Sequence, residues 1–174
     1  NGFIAWGGGV DIAAADDKLI QLRRRIGLDP EGMMLASIMA KKFAAGSKIV
    51  LIDIPVGPNA KVKDLPHALN LKQRFENIGK LLEMQVNVII TDGSAPIGHG
   101  IGPALEAIDI MQVLENDPKA PQDLKEKSLK LSGILLEMSG KADLDQGYNM
   151  AKEILESQKA LHKMQEIIEL QGKN

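Results

Sequence analysis

The chain has no cysteine, which excludes disulfides, thiolate chemistry and Cys-ligated metal and fits a cytoplasmic location. Aromatic residues are scarce, with one Trp, one Tyr and three Phe, so any core must be built from Leu, Ile, Val, Ala and Met. Neither sign of charge dominates: 21 Lys and Arg stand against 23 Asp and Glu. That balance gives no electrostatic reason to expect a nucleic-acid partner, and the basic run Arg23-Arg24-Arg25 is too short to change it. No run approaches the roughly 18 consecutive apolar residues of a membrane span, so no membrane partner is expected. The start carries no signal-peptide pattern. It opens on Asn1 rather than Met and runs at once into apolar residues, which reads as a piece excised from a longer chain. At 174 residues there is room for one ordinary domain and not for two comfortable ones.

What is present reads as α/β. Phe3 to Trp6 reads as a short buried strand before Gly7-Gly8-Gly9, then a turn at 13–17, and Lys18 to Arg24 as a possible second strand. Asp29-Pro30-Glu31-Gly32 has the form of a helix start, with Asp29 as N-cap and Pro30 in first position. That helix runs to about Ala45 and stops at Gly46. Lys48 to Val56, apolar and β-branched almost throughout, is the clearest strand and reads as covered on both faces. A helix over 65–84 follows, with Leu69, Phe75, Ile78 and Leu82 in its apolar stripe, then a strand over 86–91. Strand, helix and strand at this spacing predict a mostly parallel sheet with flanking helices. Beyond Pro103 the pattern is helical: one helix to about Glu115, one from Gln122 to Met138, and one from near Asp143 towards Gln171. We expect 1–115 to be a portion of an α/β catalytic domain and 116–174 a helical segment packed on it.

The most informative stretch is Val88 to Glu106, where an apolar run gives way to a glycine-rich turn and a helix start. Amides freed at such a turn suit an anion or a polar ligand. Ser37 and Lys41 lie four apart on one helix, hence on one face. If that face looks into a site, a hydroxyl and an ammonium meet a planar heterocycle; otherwise the Ser packs and the Lys is solvated. Asp29 is either a simple N-cap or a carboxyl group that manages a proton. Lys61 follows the strongest strand at its carboxyl end, the edge where open α/β sheets bind ligands, although a loop Lys is ordinarily a surface Lys. His67, His99 and His162 have no metal-ligand spacing. G-H-G-I-G is not a dinucleotide fingerprint, and no P-loop, nucleophile elbow or H-E-x-x-H motif occurs.

Three pieces, D-P-E-G-M-M-L-A-S-I-M-A-K-K-F-A-A-G at 29–46, V-L-I-D-I-P-V-G-P-N-A-K-V at 50–62 and the loop and helix at 91–106, resemble the thymidine phosphorylase and AMP phosphorylase family. The resemblance covers Gly2 to about Ala142, and I-D-I-P-V-G followed by A-K-V is closer to the long, AMP phosphorylase-like branch. It implies an enzyme, a pentosyltransferase that cleaves an N-glycosidic bond with inorganic phosphate as co-substrate and no cofactor, releasing a base and a pentose 1-phosphate. It also implies a helical domain facing a larger α/β domain, and a homodimer. Carried over by position, Asp29 matches the proton donor of the AMP enzymes, and Ser37 and Lys61 their nucleotide contacts. Ser37 and Lys41 match the base-binding pair of the thymidine enzymes. Arg23, or its neighbour Arg24, matches the base-binding Arg. A monovalent cation of some relatives would map onto Ile97, Gly100 and Asp109, and no other metal is expected.

The family's phosphate loop, K-x-S-x-G-G, has no counterpart here, so the chain is expected to hold the base side of a site and to be inactive alone. Thymidine and AMP remain open as substrates. Two other classes stand beside this reading. A phosphoribosyltransferase of related fold would need Mg²⁺ near a diphosphate, and no paired carboxylates follow the 86–91 strand to hold it. A non-catalytic α/β module is the other.

Overall fold

A computed structural model describes residues 2–5, 12–27 and 30–172, apart from the side chains of 23–26. Two compact units divide the chain, one spanning Ala5–Ser94 and the other comprising Asn1–Ile4 and Ala95–Asn174.

In the unit spanning Ala5–Ser94, helix α1 (Ala14–Ile26) is followed by α2 (Glu31–Ala44), β1 (Ile49–Val56), α3 (Leu65–Leu81) and β2 (Gln85–Asp92). The α1 segment replaces the strand expected over 18–24. Lys, Leu, Gln and Arg are good helix formers, the segment holds no Gly or Pro, and Asp16 and Asp17 fall in the first turn, where the helix dipole favours them. Helix α2 begins one residue later than expected, with Pro30 as its N-cap; Asp29 lies outside the described residues. Its carboxyl end carries Lys41 and Lys42, again with the dipole, and Gly46 takes φ +71 just beyond.

β1 and β2 pair in parallel from Ile49↔Gln85 to Val56↔Asp92, with α3 as the crossover. The fold is therefore α/β, and its sheet among the described residues is this one pair. Val50, Ile52 and Ile54 are buried while Leu51 and Asp53 between them are half-buried, so within the described residues one face of β1 is more fully covered than the other. Asp64 caps α3 by accepting from the His67 amide at 2.8 Å. The buried stripe of α3 runs through Ala68, Leu71, Phe75 and Gly79, and Leu69, expected inside, is 51% exposed. Gly79 sets this phase, since a Cβ there would lie 2.4 Å from Val86 Cγ2. Leu35 and Met39 of α2 complete the core against these strands and α3.

The other unit holds α4 (Pro103–Leu114), α5 (Gln122–Met138), α6 (Gly147–Glu156) and α7 (Lys159–Leu170). The expected strand at 3–6 is not formed over its described part. Phe3 and Ile4 are exposed, and the Ile4 backbone pairs with the Gln171 side chain, donating to Oε1 at 2.7 Å and accepting from Nε2 at 2.6 Å. Trp6 and the glycines after it lie outside the described residues. The single helix expected over 143–171 is two, broken where Gln158 takes φ 61. Helices α5 and α6 touch through glycine: a Cβ on Gly147 would lie 2.1 Å from the Gly133 carbonyl oxygen. Val113, Ala120, Leu129, Ala151 and Leu155 form the core here. Among the described residues no helix is long and apolar enough to cross a membrane.

Candidate functional site

Helix α2 presents Ser37 and Lys41 on one face, as their spacing requires, and both reach the same atom. Ser37 Oγ donates to Asp16 Oδ2 at 2.8 Å, and Lys41 Nζ lies 2.9 Å from that oxygen and 3.5 Å from Asp17 Oδ1. The carboxylates come from the first turn of α1 and the ammonium from the last turn of α2. Asp16 is well covered and Lys41 about a third exposed, so the pair sits at a partly desolvated edge. The hydrogen bond to Asp16 holds the Lys41 ammonium above the usual lysine pKa, with the nearby charges of Asp16 and Asp17 adding to it and desolvation opposing.

At the other end of α2, Glu31 is held from α3. His67 Nε2 lies 2.7 Å from Glu31 Oε2, and Arg74 pairs with Oε1. This tie fixes the start of α2, the turn that follows Pro30, against α3. The sequence alone does not reveal Asp16 or Glu31 as partners: Asp16 falls in the segment expected as a turn, and Glu31 in the expected helix start.

The carboxyl edge of the sheet is built by close backbone approach. A Cβ on Gly57 would lie 2.3 Å from the Gly93 carbonyl oxygen, and the Gly93 amide donates to the Val56 carbonyl at 2.8 Å. Thr91 Oγ1 donates to Asp53 Oδ1 at 2.7 Å across the two strands. Asp92 accepts from the Ser94 amide at 2.8 Å, and hydrogen bonding from Ser94 holds its carboxyl below the usual range. The loop after β1 folds back through a parallel bridge between Val56 and buried Val62, which leaves Lys61 exposed beside it.

In the unit that contains 95–174, four amides of the glycine-rich loop are taken by carboxylates. His99 and Gly100 donate to Asp109 Oδ2 at 2.8 and 2.9 Å, Gly98 to Asp123 Oδ2 at 3.1 Å, and Gly102 to Glu106 Oε1 at 3.1 Å. Carboxylates of the chain therefore take the donors that the sequence offered to an anion. Asp109 is buried, and Gly98 must stay a glycine beside it, with φ +83 and a Cβ position 2.7 Å from Asp109 Oδ2. Of the three cation candidates, Gly100 and Asp109 meet in this way, while Ile97 lies on the same loop, 40% exposed. Among the described residues no group of three or more His, Asp or Glu is placed to hold a metal ion. Arg23 is in α1, but its side chain, like all of Asp29, lies outside the described residues.

No protein-family model matches the chain. Individual proteins do. The chain is 50% identical over 172 residues to a protein of Methylococcus capsulatus named "Putative thymidine phosphorylase", covering 99% of the chain and 33% of that protein. Proteins of the same name from Legionella pneumophila (strain Corby) and Albidiferax ferrireducens match at 53% over 172 residues and 48% over 171, covering 99% and 98% of the chain and 33% of each protein. The chain thus spans about a third of the length of these relatives. Over nearly its whole length it is the counterpart of that third of a thymidine phosphorylase-named protein, and this is the resemblance its sequence carries.

Proposed function

We propose that the protein bearing this chain is a thymidine phosphorylase-like pentosyltransferase, which uses inorganic phosphate to cleave the N-glycosidic bond of a pyrimidine nucleoside such as thymidine. The observation that supports this reading is the convergence of the Ser37 hydroxyl and the Lys41 ammonium, four residues apart on α2, on one carboxylate oxygen of Asp16 from α1. A hydroxyl and a cation held together suit the polar edge of a heterocyclic base, and the cation can steady the negative charge that develops as the base leaves. The relatives' names support the same reading.

In this reading Arg23 joins Ser37 and Lys41 at the base, and Asp29 supplies the proton to the leaving nitrogen. No cofactor is required. Ile97, Gly100 and Asp109 are the place for a monovalent cation, tested by the dependence of rate on potassium. The protein acts in the cytoplasm as a homodimer. The chain by itself holds the base side of the site without the phosphate side and is inactive, because such catalysis rests on holding phosphate in line with the sugar carbon. The second reading, AMP phosphorylase, is favoured by the exposed position of Lys61 at the carboxyl edge of β1, where an ammonium could meet a nucleotide phosphate.

The test is phosphate-dependent release of base from thymidine, uridine, cytidine and AMP, by the full-length protein beside the 174-residue chain. Release from thymidine supports the first reading, and release from AMP alone supports the second. No release from any of them, by either protein, overturns both.

A further inference from the structure

We propose that Asp16 is a positioning residue for base recognition, setting both the direction of the Ser37 hydroxyl and the place of the Lys41 ammonium. The proposal rests on the phosphorolytic reading above. Its basis is that one carboxylate oxygen, Asp16 Oδ2, lies 2.8 Å from Ser37 Oγ and 2.9 Å from Lys41 Nζ.

The count of protons gives this contact its consequence. A serine hydroxyl has one proton to donate and two lone pairs. Once that proton is given to Asp16, Ser37 can face a ligand only as an acceptor. The Lys41 ammonium has three N–H donors. One goes to Asp16, and a second is directed by Asp17 at 3.5 Å, which leaves a donor for the ligand. Asp16 therefore makes the Ser37–Lys41 edge read acceptor beside donor. That edge fits a heterocycle presenting an N–H next to a carbonyl oxygen, the arrangement on a 2,4-dioxopyrimidine. Without Asp16 the hydroxyl rotates freely, and the ammonium loses its nearest anion on a long, flexible stem. In this proposal the residue acts through Ser37 and Lys41 rather than on the base itself.

The experiment is steady-state kinetics of the full-length protein with thymidine at saturating phosphate, for the unsubstituted protein, Asp16→Asn, Asp16→Glu, Lys41→Met and the Asp16→Asn, Lys41→Met double variant. Asp16→Asn should raise KM about tenfold through the loss of base binding and should also lower kcat, because the Lys41 ammonium it places steadies the departing base. Asp16→Glu, which keeps the charge, should recover part of that loss. In the Lys41→Met background Asp16→Asn should cost less than it does in the unsubstituted protein, only the share exerted through Ser37 remaining, because residues in contact are not additive. Unchanged KM in Asp16→Asn, with or without a lower melting temperature, overturns the proposal, as do independent, multiplying effects of the two substitutions. Failure of the functional reading looks different: the unsubstituted protein then releases no base from thymidine, and the positioning role falls with it.

Discussion

Gly57 and Gly93 meet backbone to backbone at the carboxyl edge of the sheet, so closely that a Cβ on Gly57 would lie 2.3 Å from the Gly93 carbonyl oxygen. The neighbour is main chain, held in place by the Gly93 amide's bond to Val56, and it cannot turn aside as a side chain would. Gly57→Ala should therefore destabilise the fold by about 1–3 kcal/mol or more, the cost of forced overpacking. Gly32, at an exposed position of α2 with nothing within 4 Å of its Cβ position, provides the opposite case. Gly32→Ala should stabilise by up to about 0.5–1 kcal/mol through the lost freedom of the unfolded chain. Thermal unfolding of the two variants should give shifts of opposite sign.

The tie between Lys41 and Asp16 has a pH dependence with a definite sign. Lys41 is held above the usual lysine value of 10.5, chiefly by its hydrogen bond to Asp16. A group whose pKa is raised on folding contributes stability that is fully present below its unfolded value and is lost as pH rises through the folded one. The contribution is thus constant through neutral pH and disappears only above 10.5. As a partly exposed pair it is worth about 0.2–1 kcal/mol. Denaturant unfolding of Lys41→Met beside the unsubstituted protein should show a gap that is flat across neutral pH and closes in strong alkali. A gap that widens there would contradict the assignment.

Buried Asp109 closes the glycine-rich loop by accepting from the amides of His99 and Gly100. Asp109→Ala leaves both donors unpartnered, at about 1–3 kcal/mol for each one that stays buried. Amide hydrogen exchange at positions 99 and 100 should accelerate sharply in that variant. Asp109→Asn retains an acceptor of the same shape and should accelerate it less. Equal exchange in all three proteins would mean that the loop is held by other contacts.

These relationships differ in how far the sequence shows them. The β-branched run before Gly57 and the 122–138 helix follow from composition and period alone, and both form as read. The α1 segment does not, because its few apolar residues fit a short strand as well as a helix, and only helix propensity separates the two. The break at Gln158 has no glycine or proline to announce it; a glutamine takes the left-handed conformation there. At the candidate site, the four-residue spacing of Ser37 and Lys41 is a local property and was legible. Their partner Asp16 lies 21 residues before Ser37, and nothing short of the packing of α1 against α2 brings it there. The glycine loop misleads for the same reason. Its open amides are visible in the sequence, while Asp109 and Asp123, which fill them, come from α4 and α5.

Lys41 and Lys61 separate the two substrate readings. Lys41 sits with Ser37 on α2 and Lys61 on the loop after β1; the proposed readings assign the first to a base and the second to a nucleotide phosphate. Losing a hydrogen bond from a charged donor costs about 1.5–3 kcal/mol, or roughly ten- to 150-fold in kcat/KM. If thymidine is the substrate, Lys41→Met should lower kcat/KM by that factor, while Lys61→Ala should leave it unchanged, since thymidine carries no phosphate for a second ammonium. If AMP is the substrate, Lys61→Ala should raise KM for AMP by a similar factor. A large effect of Lys61→Ala on thymidine would place that ammonium at the base or the sugar, contrary to that assignment.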